Sequence, residues 1–282
     1  MFTRRDLSRM VLAGVAAPAF AAKADSRIRG VPIGAQSYSF RDRSLEEAIQ
    51  GMTRIGLTYC ELWQGHVEPR KASREELRKW RLETPLSAFA DVRRKFREAG
   101  ITLCAYNYSF RDDFSDEEIA RGFEMAKALG VGVITASSTV SVAKRVDPFA
   151  AKARITVAMH NHSLIRPNEF ARPEDFEEAM RSASRYIGVN LDIGHFVAAG
   201  YDPLDYIQKH HERIPVIHLK DRKKNQGANV AFGEGETPIR EVLRLLAEKR
   251  YKIYAMIEYE YKGADTVEEV RRCYEYCRKA LA

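Results

Sequence analysis

Val216-Ile217-His218-Leu219-Lys220-Asp221 reads as a buried strand that begins apolar after Pro215 and ends in charged groups. A strand alternates its faces, so His218 and Lys220 share one face and Leu219 and Asp221 the other. Three further apolar runs end the same way: Ile155 to His162 (ITVAMHNH), Ile187 to His195 (IGVNLDIGH) and Tyr251 to Glu260 (YKIYAMIEYE). Parity puts His160 with His162, Asn190 with Asp192, and Glu258 with Glu260. Four strands that carry imidazoles and carboxylates to one rim imply a metal-centred site.

Outward from these runs, an extended apolar stretch, a polar turn and a segment of helical periodicity recur every 25 to 40 residues or so. The expected strands are Ile33 to Phe40, Thr58 to Trp63, Ile101 to Ser109, Val131 to Ala136, Ile155 to His162, Ile187 to Ile193, Val216 to Lys220 and Lys252 to Tyr259. Ser44 and Ser115 read as helix N-caps, and Gly100 and Gly130 as helix ends. Eight alternating units predict an α/β fold, a single (β/α)8 TIM barrel, and 282 residues suit it. A doubly wound open sheet would carry a Gly-rich turn after its first strand, and Ala35-Gln36-Ser37-Tyr38-Ser39-Phe40 has none.

Residues 1–24 differ in kind. Thr3-Arg4-Arg5-Asp6-Leu7 precedes a short apolar run from Met10 to Ala22, and Ala19-Phe20-Ala21 or Ala22-Lys23-Ala24 suits signal-peptidase cleavage. The segment resembles a twin-arginine export signal, which implies a periplasmic or exported protein with residues 25–282 as the barrel and no stable membrane insertion after processing. The net charge of +7 comes from Arg and Lys interleaved with acids along helices. That pattern reads as solvated faces rather than a nucleic-acid surface. Cys273 and Cys277 suit packing; Cys60 and Cys104 read as small buried hydrophobes, with a bridge between them an alternative. The oligomeric state stays open between monomer and homodimer.

Imidazoles and carboxylates crowded inside a barrel rim are costly to bury unpaired, and a divalent cation relieves that cost. Leu191-Asp192-Ile193-Gly194-His195, the His218-Leu219-Lys220-Asp221 run, Gly233-Glu234-Gly235-Glu236 and Ile257-Glu258-Tyr259-Glu260 together resemble the xylose isomerase-like barrel superfamily of sugar isomerases and epimerases. The resemblance implies one Mn, Zn, Co or Mg ion on Asp192, His218 and Glu258, with His195 and Lys220 near a sugar or keto-sugar. Relatives that epimerise sugars carry a carboxylate where this chain has His160. As a fourth ligand, His160 favours Zn, Co or Fe over Mg, and opens elimination or hydration beside isomerisation.

Proton abstraction next to a carbonyl needs a base within hydrogen-bond reach. Glu61, His160, His162 and Glu258 are the candidates, with Lys220 as the cation facing a developing oxyanion. Trp63, Tyr38, Tyr106 and Tyr108 are expected to wall a sugar-sized pocket. Glu260 is a weaker site candidate, the loop Arg222 to Glu236 suits a lid, and His66, His210 and His211 read as surface residues. Two competing readings remain. An AP endonuclease would need three metals and a richer ligand set; a sugar-binding barrel would keep the site without catalysis.

Overall fold

Three helices begin with the same reciprocal cap. Ser44, Ser73 and Ser115 each accept a hydrogen bond from a backbone N–H three residues on, where a glutamate reaches back to the serine N–H. These caps fix α1 (Leu45–Ile55), α2 (Arg74–Glu83) and α4 (Asp116–Leu129), with α3 (Leu86–Glu98) between. Gly56 and Gly130 end α1 and α4 in the left-handed conformation that glycine adopts freely. The computed structural model describes residues 25–282; the expected export signal lies outside them.

The barrel strands are β1 (Val31–Gln36), β2 (Tyr59–Trp63), β3 (Thr102–Asn107), β4 (Val133–Ala136), β5 (Thr156–His160), β6 (Ile187–Asp192), β7 (Val216–Leu219) and β8 (Tyr254–Ile257). Each pairs in parallel with the next, and β8 pairs with β1, so the sheet closes. The expected (β/α)8 barrel is the observed architecture, wrapped further by α5 (Val140–Ala153), α6 (Pro173–Met180), α7 (Ile193–Ala198), α8 (Pro203–His210), α9 (Ile239–Lys249) and α10 (Thr266–Leu281). The outward strand residues and apolar helix faces form the main core; Tyr59, Cys104, Ala105, Val216 and Met256 form a smaller cluster.

Several local expectations are corrected. The first strand stops at Gln36 and tightens into a 3-10 turn, Ser37–Phe40. The sixth stops at Asp192, whose side chain caps α7 by accepting from the His195 N–H. The helix spans only six residues, too short for its periodicity to stand out beside the strand. All four cysteines are free and buried. His66 is half-buried, with ring nitrogens on Ser37 Oγ and the Phe40 carbonyl, while His210 and His211 stack on Tyr206 and Tyr251.

Candidate active site

His160, Asp192, His218 and Glu258, from the ends of β5, β6, β7 and the residue after β8, offer four ligand atoms within 4.8 Å of one another. Register explains the meeting: His160 pairs with Asn190, Asp192 with His218, and His218 with Met256, so the inward positions rise together. All four are buried. His160 Nε2 lies 3.7 Å from Asp192 Oδ2 and 3.9 Å from Glu258 Oε2, and His218 Nδ1 lies 2.9 Å from Glu258 Oε2. His160 Nε2 is buried without a hydrogen-bond partner, and Asp192 Oδ2, also without a hydrogen bond, has only the Lys220 ammonium 3.0 Å away. An unpartnered ring nitrogen and a carboxylate oxygen converging on one point fit a cation.

Charge leads to the same conclusion. Glu61, Asp192, Glu258 and Glu260 bring four carboxylates, against which stand the cations Lys220 and Arg222. Arg111 on the pocket wall is a third cation, so one negative charge remains when the imidazoles are neutral, and the carboxylates are in excess as a bound cation requires. Burial alone would raise the Asp192 and Glu258 carboxyls, but Lys220 and the neighbouring imidazoles outweigh it and hold both well below the usual range.

Lys220 Nζ sits 3.0 Å from Asp192 Oδ2, 3.0 Å from Glu258 Oε2 and 2.6 Å from Glu260 Oε2. Burial disfavours its charge, yet these carboxylates outweigh burial and raise its pKa above the ordinary lysine value. It is therefore a fixed cation, not a base. Glu260, the weaker candidate in the sequence, faces the same pocket.

Glu61 is placed differently from the expectation. It is fully buried, and both carboxylate oxygens are engaged: Oε1 accepts from Thr135 Oγ1 and Gln36 Nε2, and Oε2 lies 2.7 Å from His218 Nε2. A carboxylate saturated in this way cannot reach a substrate carbon. It orients His218 instead, leaving Nδ1 to face Glu258.

The pocket above the four residues has a volume of about 400 Å³ and is lined also by Tyr38, Trp63, Gln64, Asn107, Arg111 and His162. Tyr38 and Trp63 meet edge to face at 5.0 Å and form its aromatic wall, as expected. Tyr108 does not. Asn107 takes the inward position on β3, so Tyr106 and Tyr108 point outward and pack on one another, and Tyr108 also on Phe110 and Phe114. Tyr108 is fully buried there, with its hydroxyl directed at the Glu118 carbonyl.

His162 stands on the wall, its ring 5.0 Å from that of His160 and with no side-chain hydrogen bond. Partial desolvation first, then the neighbouring His160 and Lys220, push its pKa down to about 4, so it is neutral at ordinary pH. His195 comes from α7, and Gly194 makes its approach possible: a Cβ there would fall 2.5 Å from the Lys220 carbonyl oxygen. Its Nε2 lies 3.1 Å from Lys220 Nζ, while Nδ1 meets Arg222 Nη1 at 2.6 Å.

Arg222 was not legible as a site residue, and the loop it begins is not a free lid. Asp221 accepts from the N–H groups of Gly233, Gly235 and Thr237, and a Cβ on Gly235 would come within 1.9 Å of Asp221 Oδ1. Arg222 also bonds the Gly227 carbonyl and Ser163 Oγ. The loop is a fixed buttress behind His195. Asn161, also missed, accepts from the Asp192 N–H and donates to the Asp192 carbonyl, which locks the end of β6.

Known proteins share this architecture. Over 87 residues the chain is 31% identical to an inosose dehydratase of Clostridium botulinum, a stretch that is 25% of this chain and 29% of that protein. The chain thus spans under a third of the length of that curated relative. The structure of a 3-keto-D-glucoside 4-epimerase from E. coli superposes with a TM-score of 0.67 at 13% identity, covering 88% of this chain and 99% of the other. That of the IolI protein with a zinc atom bound superposes at 0.64 with 17% identity, covering 89% and 96%. Likeness at such identities establishes the fold. The family model of the xylose isomerase-like TIM barrel matches residues 49–279, most of the chain, and the protein belongs to that family.

Proposed function

We propose that this chain is an exported, metal-dependent enzyme that removes the proton next to the carbonyl of a small sugar-like substrate, in isomerisation or epimerisation. One observation carries the reading: the unpartnered, buried His160 Nε2 converges with Asp192, His218 and Glu258 on one point beneath a pocket of sugar size. His160, Asp192, His218 and Glu258 would hold one divalent ion, and two imidazoles in the set favour Zn, Co or Fe over Mg. When bound, such an ion polarises a substrate carbonyl and stabilises negative charge on its oxygen.

The chain's own groups supply the rest. Lys220, charged throughout the working range, adds a second positive centre beside that oxygen. His195 lines the same wall, held in place by Arg222. His162 presents a neutral ring to the cavity and is the proposed proton acceptor, a role the engaged Glu61 cannot fill. Tyr38 and Trp63 form one aromatic wall against the sugar ring and exclude water from that side.

A second reading, elimination from a keto-sugar by a lyase or dehydratase, has its own support. By the resemblance, His160 stands where a carboxylate is expected for epimerisation, and the nearby carboxylates are all engaged by Lys220, His218 or polar side chains. This leaves His162 as a lone acceptor on one wall. Both readings start with the same proton loss. Incubation of the metal-loaded protein with a panel of keto-sugars in D2O tests them by mass spectrometry. Recovered sugar one mass unit heavier supports isomerisation or epimerisation, and loss of water or of a glycosidic leaving group supports elimination. Binding of sugars without exchange or elimination across the panel would sink both and leave a sugar-binding barrel.

A further inference from the structure

Cations that look scattered in the sequence gather on the N-terminal face of the barrel, opposite the pocket. Arg27 and Arg29 precede β1, Arg185 precedes β6, and Lys249, Arg250 and Lys252 join α9 to β8; all six are exposed. They line two adjoining grooves, of about 590 Å³ and about 490 Å³, which share Arg250, Tyr251 and Lys252. Among the described residues none of the six forms an ion pair, whereas some cations elsewhere do, such as Arg74 with Glu118, Arg121 with Glu124 and Lys144 with Glu178. Glu212 lines the first groove, and the Asp25 carboxylate turns back to accept from the Arg27 N–H. Neither acid neutralises the cluster.

The backbone adds a second observation. Arg29 and Arg250 have φ of +48° and +56°, the left-handed region where glycine is the cheaper residue. The chain keeps arginine there against its conformational preference.

We propose that in the chain still carrying its leader this face docks on a bilayer surface through anionic lipid headgroups, a property independent of the reaction at the other end of the barrel. Residues 1–24, read from the sequence as an export leader, join the fold at Asp25 on this face. Until it is cleaved, that leader holds the chain at the membrane, which places the cationic grooves against the headgroups and leaves the pocket mouth facing away. No helix among the described residues is long and apolar enough to cross a membrane, so attachment here is by charge and is sensitive to salt. A polynucleotide is the other polyanion such a face would attract, and the leader's point of attachment favours the bilayer.

Co-sedimentation of the full-length chain with phosphatidylcholine vesicles, with and without phosphatidylglycerol, tests this. Binding to the anionic vesicles should exceed binding to the neutral ones, and the excess should vanish near about 0.5 M salt, where screening falls below roughly 5 Å. The variant R29G/R250G/K252Q keeps the backbone at ease, because glycine suits both positive-φ positions. It should lose anionic binding on the order of a hundredfold, at about fivefold per cation. Binding to neutral vesicles, which reads the leader's own contribution, and metal content should not change. Equal wild-type binding to both vesicles, or a variant that binds anionic vesicles like wild type, would overturn the proposal. So would duplex DNA that binds more tightly than the vesicles and strips the protein from them.

Discussion

Glu61 Oε2 lies 2.7 Å from His218 Nε2, on the side of the imidazole away from Glu258. With the proton of the neutral ring on Nε2, donated to Glu61, the Nδ1 lone pair is left for the ligand cluster. Glu61 is itself fixed by donors from Thr135 and Gln36, so the orientation is over-determined from β1, β2 and β4. Outer carboxylates of this kind set both the tautomer and the basicity of a ligating histidine.

Glu61→Gln tests that role. An amide has to point its NH2 either at the histidine N–H or at the Thr135 and Gln36 donors, so one acceptor is lost whichever way it turns. Metal affinity, read by competition with a chelating dye, should fall about 10- to 100-fold with the fold retained. Unchanged affinity would remove Glu61 from the metal's support. A total loss of proton exchange at full metal occupancy would restore it as the base.

Acidity gives opposite slopes with and without metal. Burial disfavours the charged His218, but Glu61 and Glu258 outweigh it and raise its pKa well above the ordinary histidine value of about 6.5. Without metal, the stability from that raised pKa is fully present below about pH 6.5 and is lost as pH rises through the folded-state value. With metal present, proton and ion compete for Nδ1, so affinity and metal-linked stability rise over the same window. Melting temperatures from pH 6.5 upward should fall in chelator and rise in zinc. Parallel curves would contradict the assignment of His218 as a ligand.

His162→Gln keeps a polar side chain at the pocket wall and removes the proposed acceptor. Exchange or turnover should drop by about 10²- to 10⁴-fold while metal content holds. Retained exchange would move the role to another group.

The fold was legible because its signals are local and repeated: apolar strands, serine caps and glycine ends recur along the chain. Parity pairs His160 with His162, Asn190 with Asp192, His218 with Lys220 and Glu258 with Glu260, and among these the family resemblance singles out Asp192, His218 and Glu258. What stayed hidden depends on distance in sequence. Nothing near Glu61 in the chain reveals that it reaches His218, 157 residues away. Arg222 looks like one more loop cation until the fold brings it to His195. Tyr108 misled because its place at a strand end was clear, whereas the facing of β3 was set by Asn107 pointing inward. The cationic face was hidden for the same reason, since its members come from loops far apart in sequence.

The most direct test of the central claim is the metal content of wild-type protein and of Asp192→Ala and His218→Ala, measured by elemental mass spectrometry alongside circular dichroism. One tightly held ion per chain in wild type, lost in both variants with the barrel signal intact, is the expected result. Stoichiometric metal retained in either folded variant would contradict it.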